Sequence, residues 1–590
     1  MQRYERTVSC GRVDAHYLGK KINLSGWVNK RRDHGGLIFI DLRDRSGIMQ
    51  LVFNPDLSQA AHDQAHQLRS EFVISVTGTV VERSAATINN ELATGRFELQ
   101  VESIIILNKA KTLPFTLDEA ANVDEELRLK YRYIDLRRPE MHQKLVLRNN
   151  VIFALREFMH NECFYDIETP ILTKNTPEGA REFLVPSRLH HRSFYALPQS
   201  QQLYKQLLMA GGMERYYQVA RCFRDEDLRS DRQPEFTQLD IEMSFIKEGD
   251  IQDIIERLIA YIWEKALNIT IPTPFKRMTY DEAFNLYGSD KPDLRFALPI
   301  VDITTLFADT ELSFLRTILD KQGKVGALHV PSKDFTRSEL DSWVNKAQKL
   351  EAKGLLWIRM KEDGTIDSPV AKFLPTNFAT IIKQYIPDFS QASTLFIVAG
   401  KQSQAWTVLG RLRLELGKEL AMINEQEFNF LWVIDFPLFE QDETTKQWNA
   451  VHHPFTSPQE GWQQLEPSQM KARAYDVVLN GVELGGGSIR IHDAQIQDKV
   501  FDLLGLSKEQ AKNKFGFLLE AQELGFPPHG GIALGLDRLI MLMCHATSIR
   551  EVIAFPKTQR GYDPLMAAPA EVSAEQIGEY GLLFAPKKKE

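Results

Sequence analysis

Three arginines lie in and beside a charged loop that joins two strand-like runs of the chain. The runs are Tyr216–Arg224 and Glu235–Phe245, and the loop between them contains Arg229 and Arg232. A guanidinium group matches phosphate oxygens with a two-pronged fork, so Arg224 and the two loop arginines could hold a polyphosphate. The alternative is an ordinary exposed sheet face whose loop arginines have no ligand.

A second candidate is a hairpin with two carboxylates. Asn480-Gly481 is typical of a two-residue hairpin turn. With that turn, Asp476 pairs with Gly485, and Asp476 and Glu483 become diagonal neighbours on one face, with Cα atoms roughly 7–8 Å apart. Two carboxylates so placed could hold one magnesium ion. The alternative is an ordinary solvated hairpin.

A third candidate is the glycine-rich segment His529–Arg538, which precedes the apolar run Leu539–Met543. The pattern predicts a glycine turn, a strand and a buried helix, with Asp537 at the N-cap. A helix N-terminus beside Arg538 favours anions. The segment matches neither the P-loop nor the dinucleotide-binding glycine pattern, which removes those two interpretations.

The elements that must position these groups begin with a small β unit. Five runs rich in β-branched and aromatic residues are separated by turn residues, with a helical stretch, Ser58–Leu68, after the third run. This order is typical of the OB-fold, a barrel that binds oligonucleotides, although a purely structural barrel is the alternative. The runs are Ile22–Val28, Leu37–Arg43, Ile48–Phe53, Phe72–Val81 and Phe97–Leu107.

Beyond the barrel, apolar residues near helical spacing predict a helix over Pro139–Asn161. Residues 296–425 contain few candidate functional residues. They interrupt two strand-rich parts of the chain that do contain such residues, so we interpret residues 296–425 as an inserted domain. Strand patterns return at Phe430.

Composition limits the class of protein. The 590 residues are 43% hydrophobic and 25% charged, as in ordinary globular proteins. No apolar run approaches the roughly 18 residues of a membrane span, and the first residues carry no signal-peptide pattern. Four scattered cysteines predict neither a disulfide framework nor a zinc site. The net charge is −8, while residues 1–110 carry a small positive charge. We expect a cytoplasmic protein that holds an anionic partner locally.

Three segments of the chain, two of which carry the first and third candidates, resemble in this order the three signature motifs of class II aminoacyl-tRNA synthetases. The motifs are the helix and strand that end in Ile167-Glu-Thr-Pro170, then Phe223-Arg-Asp-Glu226, then Gly535-Leu-Asp-Arg538. An N-terminal OB-fold is similar to the subgroup that charges tRNA with Asp, Asn or Lys. Three strings, Trp27–Asp33, Tyr131–Pro139 and Gly288–Arg295, resemble the bacterial-type aspartyl-tRNA synthetases, as does the insertion.

The resemblance implies a multidomain α+β fold and two-step chemistry. Aspartate attacks the α-phosphorus of ATP, and the ribose hydroxyl of tRNA(Asp) then takes the aspartyl group. Implied partners are ATP, L-aspartate, tRNA(Asp), Mg²⁺ and a second copy of the chain, with no membrane. The implied domains are the anticodon-binding OB-fold 1–108, a linker 109–140, a catalytic domain 141–295 and 426–560, an inserted GAD-type domain 296–425, and an extension 561–590.

The resemblance also assigns roles to residues of this chain. It implies two catalytic residues, Arg224 and Arg538, while the candidate metal ligands are Asp476 and Glu483 from the hairpin register. The implied ATP-binding residues are Arg224, Asp225, Glu226, Gln233, Glu483, Gly535, Leu536, Asp537 and Arg538. The implied aspartate-binding residues are Glu178, Gln202, Lys205, Arg224, Asp240, His452 and Arg490.

In the barrel, the resemblance implies that Phe39 stacks on an anticodon base; the alternative is that Phe39 belongs to the core. The further implied anticodon residues are Asn29, Lys30, Arg31, Arg32, Gln50 and Glu98. Asn29 replaces a histidine that relatives charging the asparagine tRNA often carry, which predicts an enzyme for tRNA(Asp) alone. The alternatives are an enzyme that charges both tRNAs, an asparaginyl-tRNA synthetase, and an inactive RNA-binding relative.

Overall fold

The structure is a computed structural model that describes residues 5–175 and 180–585. The chain folds into two compact units, Met1–His142 and Gln143–Glu590. The finer domain boundaries expected from the sequence stay predictions. No helix among the described residues is long and apolar enough to cross a membrane.

The first unit contains a closed barrel whose strands pair in the order β1-β2-β3-β5-β4. Alternate residues in the first half of β1, such as Ile22 and Leu24, are buried inside it, as the period of two requires. All five strands and the helix lie where the sequence predicts them. They are β1 Lys21–His34, β2 Leu37–Asp44, β3 Gly47–Phe53, α1 Gln59–Ala65, β4 Val73–Glu82 and β5 Phe97–Asn108.

Short helices follow the barrel, and the long helix predicted over Pro139–Asn161 has those bounds. The next elements are α2 Glu125–Lys130, α3 Arg132–Asp135, α4 Pro139–Asn161, β6 Tyr165–Asp166, β7 Leu184–Pro186, β8 Phe194–Ala196, α5 Gln202–Ala210, β9 Arg215–Phe223, β10 Glu235–Ser244, α6 Glu248–Leu267, β11 Lys276–Thr279 and α7 Tyr280–Tyr287.

The inserted segment forms its own five-stranded sheet, in the order β12-β13-β16-β14-β15. Its elements are β12 Ile300–Asp302, α8 Ser313–Leu319, β13 Lys324–Val330, α9 Arg337–Lys349, β14 Leu356–Met360, β15 Ile366–Asp367, α10 Phe378–Ile381, β16 Ser393–Gly400 and α11 Gln402–Glu419.

Strands return at Phe430, as the sequence predicts. The remaining elements are β17 Phe430–Ile434, β18 Phe439–Gln441, β19 Trp448–Ala450, β20 Ala474–Leu479, β21 Val482–Ile489, α12 Ala494–Leu503, α13 Lys508–Glu523, β22 His529–Gly535, α14 Leu536–Met543 and α15 Ala574–Gly578.

The sheet that carries the candidate residues has eight strands, in the order β11-β17-β20-β21-β22-β10-β9-β6. Its pairs are antiparallel except at the two edges, β11 with β17 and β6 with β9. One face packs on the apolar stripe of α6, which contributes Ile251, Ile255 and Leu258 to the largest core cluster. The i, i+3, i+4 spacing of these residues places them on one side of the helix. At β17 and β20 the other face packs in a second apolar cluster that contains Leu431, Val433 and Val478. At β10 that face carries polar side chains.

Candidate functional site

A cluster of four charged side chains lies on the polar face of the sheet. Lys205 Nζ is 2.5 Å from Asp240 Oδ1 and 3.2 Å from Glu242 Oε2. Arg490 donates from Nε to Glu242 Oε1 at 2.9 Å and from Nη2 to Oε2 at 3.2 Å. All four side chains are at most 2% exposed. The strand pattern that could have been an exposed sheet face is therefore buried around paired charges.

Strand geometry explains why the two carboxylates share a face. Asp240 and Glu242 are two positions apart on β10, so they point to the same side. Gly531 lies opposite Glu242 on the neighbouring strand β22. A Cβ atom at Gly531 would overlap the Glu242 carboxylate, so the glycine leaves the space that this side chain fills.

Histidine and serine neighbours hold Arg490 from the other side. Its Nη1 donates to Ser488 Oγ at 2.7 Å and lies 2.7 Å from His453 Nε2. Burial, then the positive charge of Arg490, lowers the pKa of His453 well below 6.5. This ring is therefore neutral and accepts from the guanidinium.

The sequence predicts His452, rather than its neighbour, beside the substrate. The structure brings His453 to Arg490, whereas His452 Nε2 lies 3.5 Å from Asp476 Oδ1. The His452 ring packs edge-on against Phe436 at 4.8 Å. The two histidines follow β19 in an irregular segment, and the sequence alone does not say which of them faces the cluster.

The charged cluster keeps unused hydrogen-bonding capacity. Within residues 5–175 and 180–585, the buried Asp240 Oδ2 and Gln202 Nε2 have no hydrogen-bond partner. Buried polar atoms are normally paired, so these two atoms indicate a place for a polar ligand. One is an acceptor suited to an ammonium group and the other is a donor suited to a carboxylate. Glu178, a further predicted aspartate-binding residue, lies outside the described residues.

The carboxylate hairpin forms as expected at its turn but not beyond it. Leu479 pairs with Val482 and Val478 with Glu483, after which the register shifts. Asp476 therefore pairs with Gly486, and the predicted pairing with Gly485 is wrong. A β-bulge at Leu484 inserts one residue that the turn type does not reveal.

Asp476 and Glu483 nevertheless share a face. Glu483 lies opposite Val478, which is two positions from Asp476 on β20. Burial, then the negative charge of Asp476, raises the pKa of Glu483 above 4.5. A Cβ atom at Gly486 would overlap the Asp476 carboxylate, so this glycine gives it room.

The carboxylate pair fits a magnesium ion that is completed by substrate. Asp476 Oδ1 is buried and has no hydrogen-bond partner in the described parts of the chain. No group of three or more His, Cys, Asp or Glu residues there could hold a metal by itself. Mg²⁺ usually takes only one or two protein carboxylates together with phosphates and water, so two are enough.

Arg224 follows β9 and lies against the ring of Phe236, with its Cζ 5.1 Å from the ring centroid. Its Nε donates to the Gln199 carbonyl at 3.4 Å. Within the described residues, its two Nη atoms have no hydrogen-bond partner, so the planar guanidinium can donate two bonds to one ligand. The backbone N–H of Asp225 donates to the Arg181 carbonyl at 2.9 Å. These contacts hold the arginine at the start of the charged loop.

The side chains of two other residues predicted to bind ATP already bond to other residues of the protein. Glu226 pairs with Arg232 at 2.8 Å. Gln233 is buried, donates to the Lys557 carbonyl at 3.0 Å and accepts from its N–H at 2.8 Å. Both ends of the Gln233 amide are therefore engaged, which makes it an anchor of the loop.

The third motif is built differently from the expectation in one respect. Helix α14 begins at Leu536 with Gly535 at the N-cap, so the predicted N-cap position of Asp537 is wrong. The Asp537 carboxylate instead accepts from Arg148 at 2.6 Å and from the Thr237 N–H at 2.8 Å. A cation from α4 and a backbone donor from β10 use both of its oxygens, and Leu536 is buried in the core.

Arg538 connects two of the candidate segments. Its Nη1 donates to the Glu483 carbonyl at 2.6 Å, and its Nη2 lies 3.1 Å from Asp231 Oδ2. Asp231 belongs to the charged loop, and Glu483 belongs to the hairpin. The structure therefore brings the beginning of β21, the loop and the start of α14 to one place.

The barrel carries a separate candidate interface, a cavity of about 460 Å³. Four of the predicted anticodon residues line it, namely Arg32, Phe39, Gln50 and Glu98. Gln50 donates to Glu98 at 2.9 Å, and Arg32 donates to Asp41 at 2.8 Å. Phe39 is only half-buried, so the alternative that it belongs to the barrel core is wrong.

The other three predicted anticodon residues do not line this cavity. Asn29 Oδ1 accepts from Arg43 at 2.5 Å, and Arg43 also binds both oxygens of Glu71. Arg31 pairs with Asp33 at 2.6 Å, and Lys30 is exposed. Asn29 is thus tied to a structural ion pair.

Comparison with known proteins agrees with this arrangement of motifs. Residues 124–559 match the family model described as tRNA synthetases class II (D, K and N), and residues 22–107 match the OB-fold nucleic acid binding domain. The chain belongs to the class II tRNA synthetases of the D, K and N group. As a class II synthetase it is an enzyme, with the expected OB-fold and multidomain α+β architecture.

Relatives of this synthetase match along its whole length. A protein of Syntrophomonas wolfei named aspartate–tRNA(Asp/Asn) ligase is 51% identical over 99% of this chain and 100% of its own. A protein of Bacillus licheniformis named aspartate–tRNA ligase is 51% identical over 98% of each chain. The solved asparaginyl-tRNA synthetase of Pyrococcus horikoshii with asparaginyl-adenylate has the same fold, with a TM-score of 0.60, 19% identity, and 94% and 99% coverage.

Sequence reasoning missed two residues that organise this synthetase's charged cluster, Glu242 and His453. Glu242 was visible as one polar position of β10, but its partner Arg490 is 248 residues away. The one signal that could have found it is charge balance, since two buried cations require two buried anions.

Proposed function

We propose that this synthetase is an aspartate–tRNA ligase. It joins L-aspartate to ATP, giving aspartyl-adenylate and pyrophosphate, and transfers the aspartyl group to the 3′ end of tRNA(Asp). The observation that carries the proposal is the buried pair of cations, Lys205 and Arg490, beside two unpaired buried polar atoms. The names of the relatives support it.

Recognition of aspartate follows from the chemistry of the cluster. The side-chain carboxylate of the substrate binds Arg490, whose planar fork is already oriented by Glu242 and Ser488. Lys205 adds a second positive charge. The substrate ammonium group binds Asp240 Oδ2, the acceptor that lacks a partner among the described residues. A neutral amide gains less from two cations, so the cluster favours aspartate over asparagine.

Activation requires that the α-carboxylate of aspartate meet the α-phosphorus of ATP. One carboxylate oxygen forms the new P–O bond, and the bond to the pyrophosphate oxygen breaks. Arg224 neutralises the charge that develops on the α-phosphate, and Arg538 holds the nucleotide at the start of α14. Asp476 and Glu483 would hold Mg²⁺, which supplies further charge neutralisation on the phosphates. The residues of the chain act by positioning.

The barrel then supplies recognition of the tRNA. Phe39 stacks on an unpaired anticodon base, while Arg32, Gln50 and Glu98 contact base edges in the same cavity.

We also infer that the protein is a cytoplasmic homodimer. The dimer forms through the first motif, which consists of α4 and the segment around Ile167–Pro170. Size measurement by light scattering tests the dimer.

The range of tRNA has two candidates. Asn29 was the residue from which charging of tRNA(Asp) alone was predicted. Its side chain accepts a hydrogen bond from Arg43 and does not line the barrel cavity that contains Phe39. This observation, with the Asp/Asn name of several relatives, favours an enzyme that also charges tRNA(Asn). Charging of the two purified tRNAs decides between them: similar efficiency on both excludes the selective enzyme.

The function itself is tested by pyrophosphate–ATP exchange without tRNA. We expect exchange with aspartate and no comparable exchange with asparagine or lysine at equal concentration. Exchange that depends on asparagine would identify an asparaginyl-tRNA synthetase instead. An absence of exchange with all three, in a folded protein that binds tRNA, would support the inactive RNA-binding alternative.

A further inference from the structure

A segment of the second unit, residues 288–298, lies between the helix α11 of the insertion and the carboxylate hairpin. At the start of the segment, Gly288 and Gly410 allow the backbone of the segment to approach the backbone of α11 closely. A Cβ atom at Gly288 would overlap the carbonyl of Trp406, and one at Gly410 would lie 2.5 Å from the carbonyl of Tyr287. Gly288 also has φ +64°, which a side chain rarely adopts. Close packing therefore fixes the start of the segment against α11.

Arg413 of α11 holds the rest of the segment. It is 1% exposed, and its Nη2 donates to the carbonyls of Asp293 and Phe296, each at 2.8 Å. It also donates to the carbonyls of Ala297 and Leu298. Among the described residues, no carboxylate lies within ion-pair distance of this guanidinium. The guanidinium also lies over the rings of Tyr287 and Phe296, with Cζ 4.7 and 3.9 Å from their centroids. Its four hydrogen bonds to backbone carbonyls all go to one segment, so they fix the backbone of that segment.

The other side of the segment meets the hairpin. Gly481, in the hairpin turn, has φ +82°. A Cβ atom added there would lie 3.1 Å from the Cβ of Asp293, so the segment packs directly against the turn. Lys291 Nζ lies 4.0 Å from Glu483 Oε2. The Lys291 side chain is 46% exposed, so its ammonium group is loosely paired and free to turn towards an incoming anion.

We propose that Lys291 is a further ATP-binding residue, which contacts the polyphosphate, and that Arg413 of the insertion is the positioning residue that holds it there. The inference rests on the proposed function, because it takes Glu483 and Arg538 to mark the ATP site. A flexible ammonium point charge suits a polyphosphate bound with a metal ion. The insertion thereby supports the first chemical step, which needs no tRNA.

Lys291→Gln tests the ligand contact at an exposed position, where the substitution leaves the fold intact. We expect ATP binding, measured by calorimetry with Mg²⁺ and without aspartate, to weaken about tenfold. The Michaelis constant for aspartate in exchange should stay within about twofold. Lys291→Arg keeps the charge and should restore most of the affinity, and Lys276→Gln on β11 is the control for loss of an exposed lysine.

Arg413→Gln tests the positioning role. We expect ATP to bind about fivefold more weakly, with the Michaelis constant for aspartate unchanged and a lower melting temperature. Arg411→Gln is the matched control, because Arg411 lies on the same helix and pairs only with the exposed Glu351 among the described residues. Adding Arg413→Gln to Lys291→Gln should weaken ATP binding little further, since both act through one contact.

The outcomes separate this inference from the proposed function. Wild-type protein without aspartate-dependent exchange would defeat the function. Wild-type exchange together with unchanged ATP affinity in Lys291→Gln would overturn the inference alone. If Arg413→Gln does not fold, the Lys291 variants still decide the ligand contact, and equal loss of ATP and aspartate affinity in them would also overturn it.

Discussion

Glu242 and Arg490 form a two-bond ion pair that is closed off from solvent, with contacts of 2.9 and 3.2 Å. Burial raises the pKa of Glu242, but the charges of Arg490 and Lys205 lower it more, so it lies below 4.5. The carboxylate is therefore ionised at neutral pH. It fixes the guanidinium plane before any substrate arrives, which is what a selective carboxylate site requires.

Replacement of this carboxylate should affect both stability and substrate use. We expect Glu242→Gln to lower the free energy of unfolding by about 3 kcal/mol, because Arg490 loses its buried counter-charge. The Michaelis constant for aspartate should rise as the guanidinium loses its orientation. Glu235→Gln on the same strand is the control: its ion pairs with Arg221 and Lys557 are part-exposed, so about 1 kcal/mol or less is expected. Equal effects in denaturant unfolding would contradict this.

Loss of either cation should be more costly than the sequence suggests. From sequence, Lys205→Met and Arg490→Leu are expected to abolish aspartate use without unfolding the protein. In the structure, each substitution leaves a buried carboxylate without its cation. We therefore also expect the free energy of unfolding to fall by about 3–5 kcal/mol.

The double variant Lys205→Met/Asp240→Asn tests the stability effect, because it removes a matched pair of charges, both of which are proposed to contact the substrate. It should recover part of the stability and none of the aspartate-dependent exchange. Recovery of exchange would show that Lys205 has no role with the substrate.

The sequence was most informative where the determining contacts are local. Runs rich in β-branched and aromatic residues, separated by turn residues, predicted the barrel strands, and Asn480-Gly481 predicted the first two pairs of its hairpin. The register failed after those pairs because the bulge at Leu484 depends on packing against β22, which no local pattern encodes.

The site itself depended on contacts between distant residues. Asp537 looked like a helix cap, but its carboxylate is taken by Arg148, 389 residues away in the chain. The choice between His452 and His453 likewise follows from the position of Arg490, which is set by the fold of the whole sheet. The resemblance to a family supplied the residue types, whereas their partners required the structure.

The carboxylate hairpin should control the magnesium requirement. We expect Asp476→Asn and Glu483→Gln to reduce adenylate formation by at least about tenfold at low magnesium, because each removes one anionic oxygen ligand. Exchange measured against magnesium concentration should show the loss partly recovered at high concentration. Asp253→Asn, which removes an exposed carboxylate that pairs with Arg257 on α6, is the control. Unchanged magnesium dependence in both hairpin variants would remove the metal assignment.

Stability should fall on mild acidification because a buried histidine resists protonation. Burial lowers the pKa of His529 to about 4. Between about pH 6.5 and 4 the unfolded chain binds a proton that the folded chain does not, which removes up to about 3 kcal/mol of stability. Above about pH 6.5 the effect is absent. His529→Gln should flatten this slope in denaturant unfolding at pH 7.5 and 5, whereas His492→Gln, at an exposed position, should not.

Phe39 should matter for the tRNA and not for amino-acid activation. Its half-exposed ring lines the barrel cavity with Arg32, Gln50 and Glu98. Stacking on a base contributes about 1–3 kcal/mol, so Phe39→Ala should weaken tRNA charging by roughly ten- to a hundredfold. Pyrophosphate exchange needs no anticodon and should remain near the wild-type rate. Tyr17→Ala, a half-buried aromatic of the same unit outside the cavity, should charge tRNA normally; a Phe39→Ala protein that does so too would remove the stacking role.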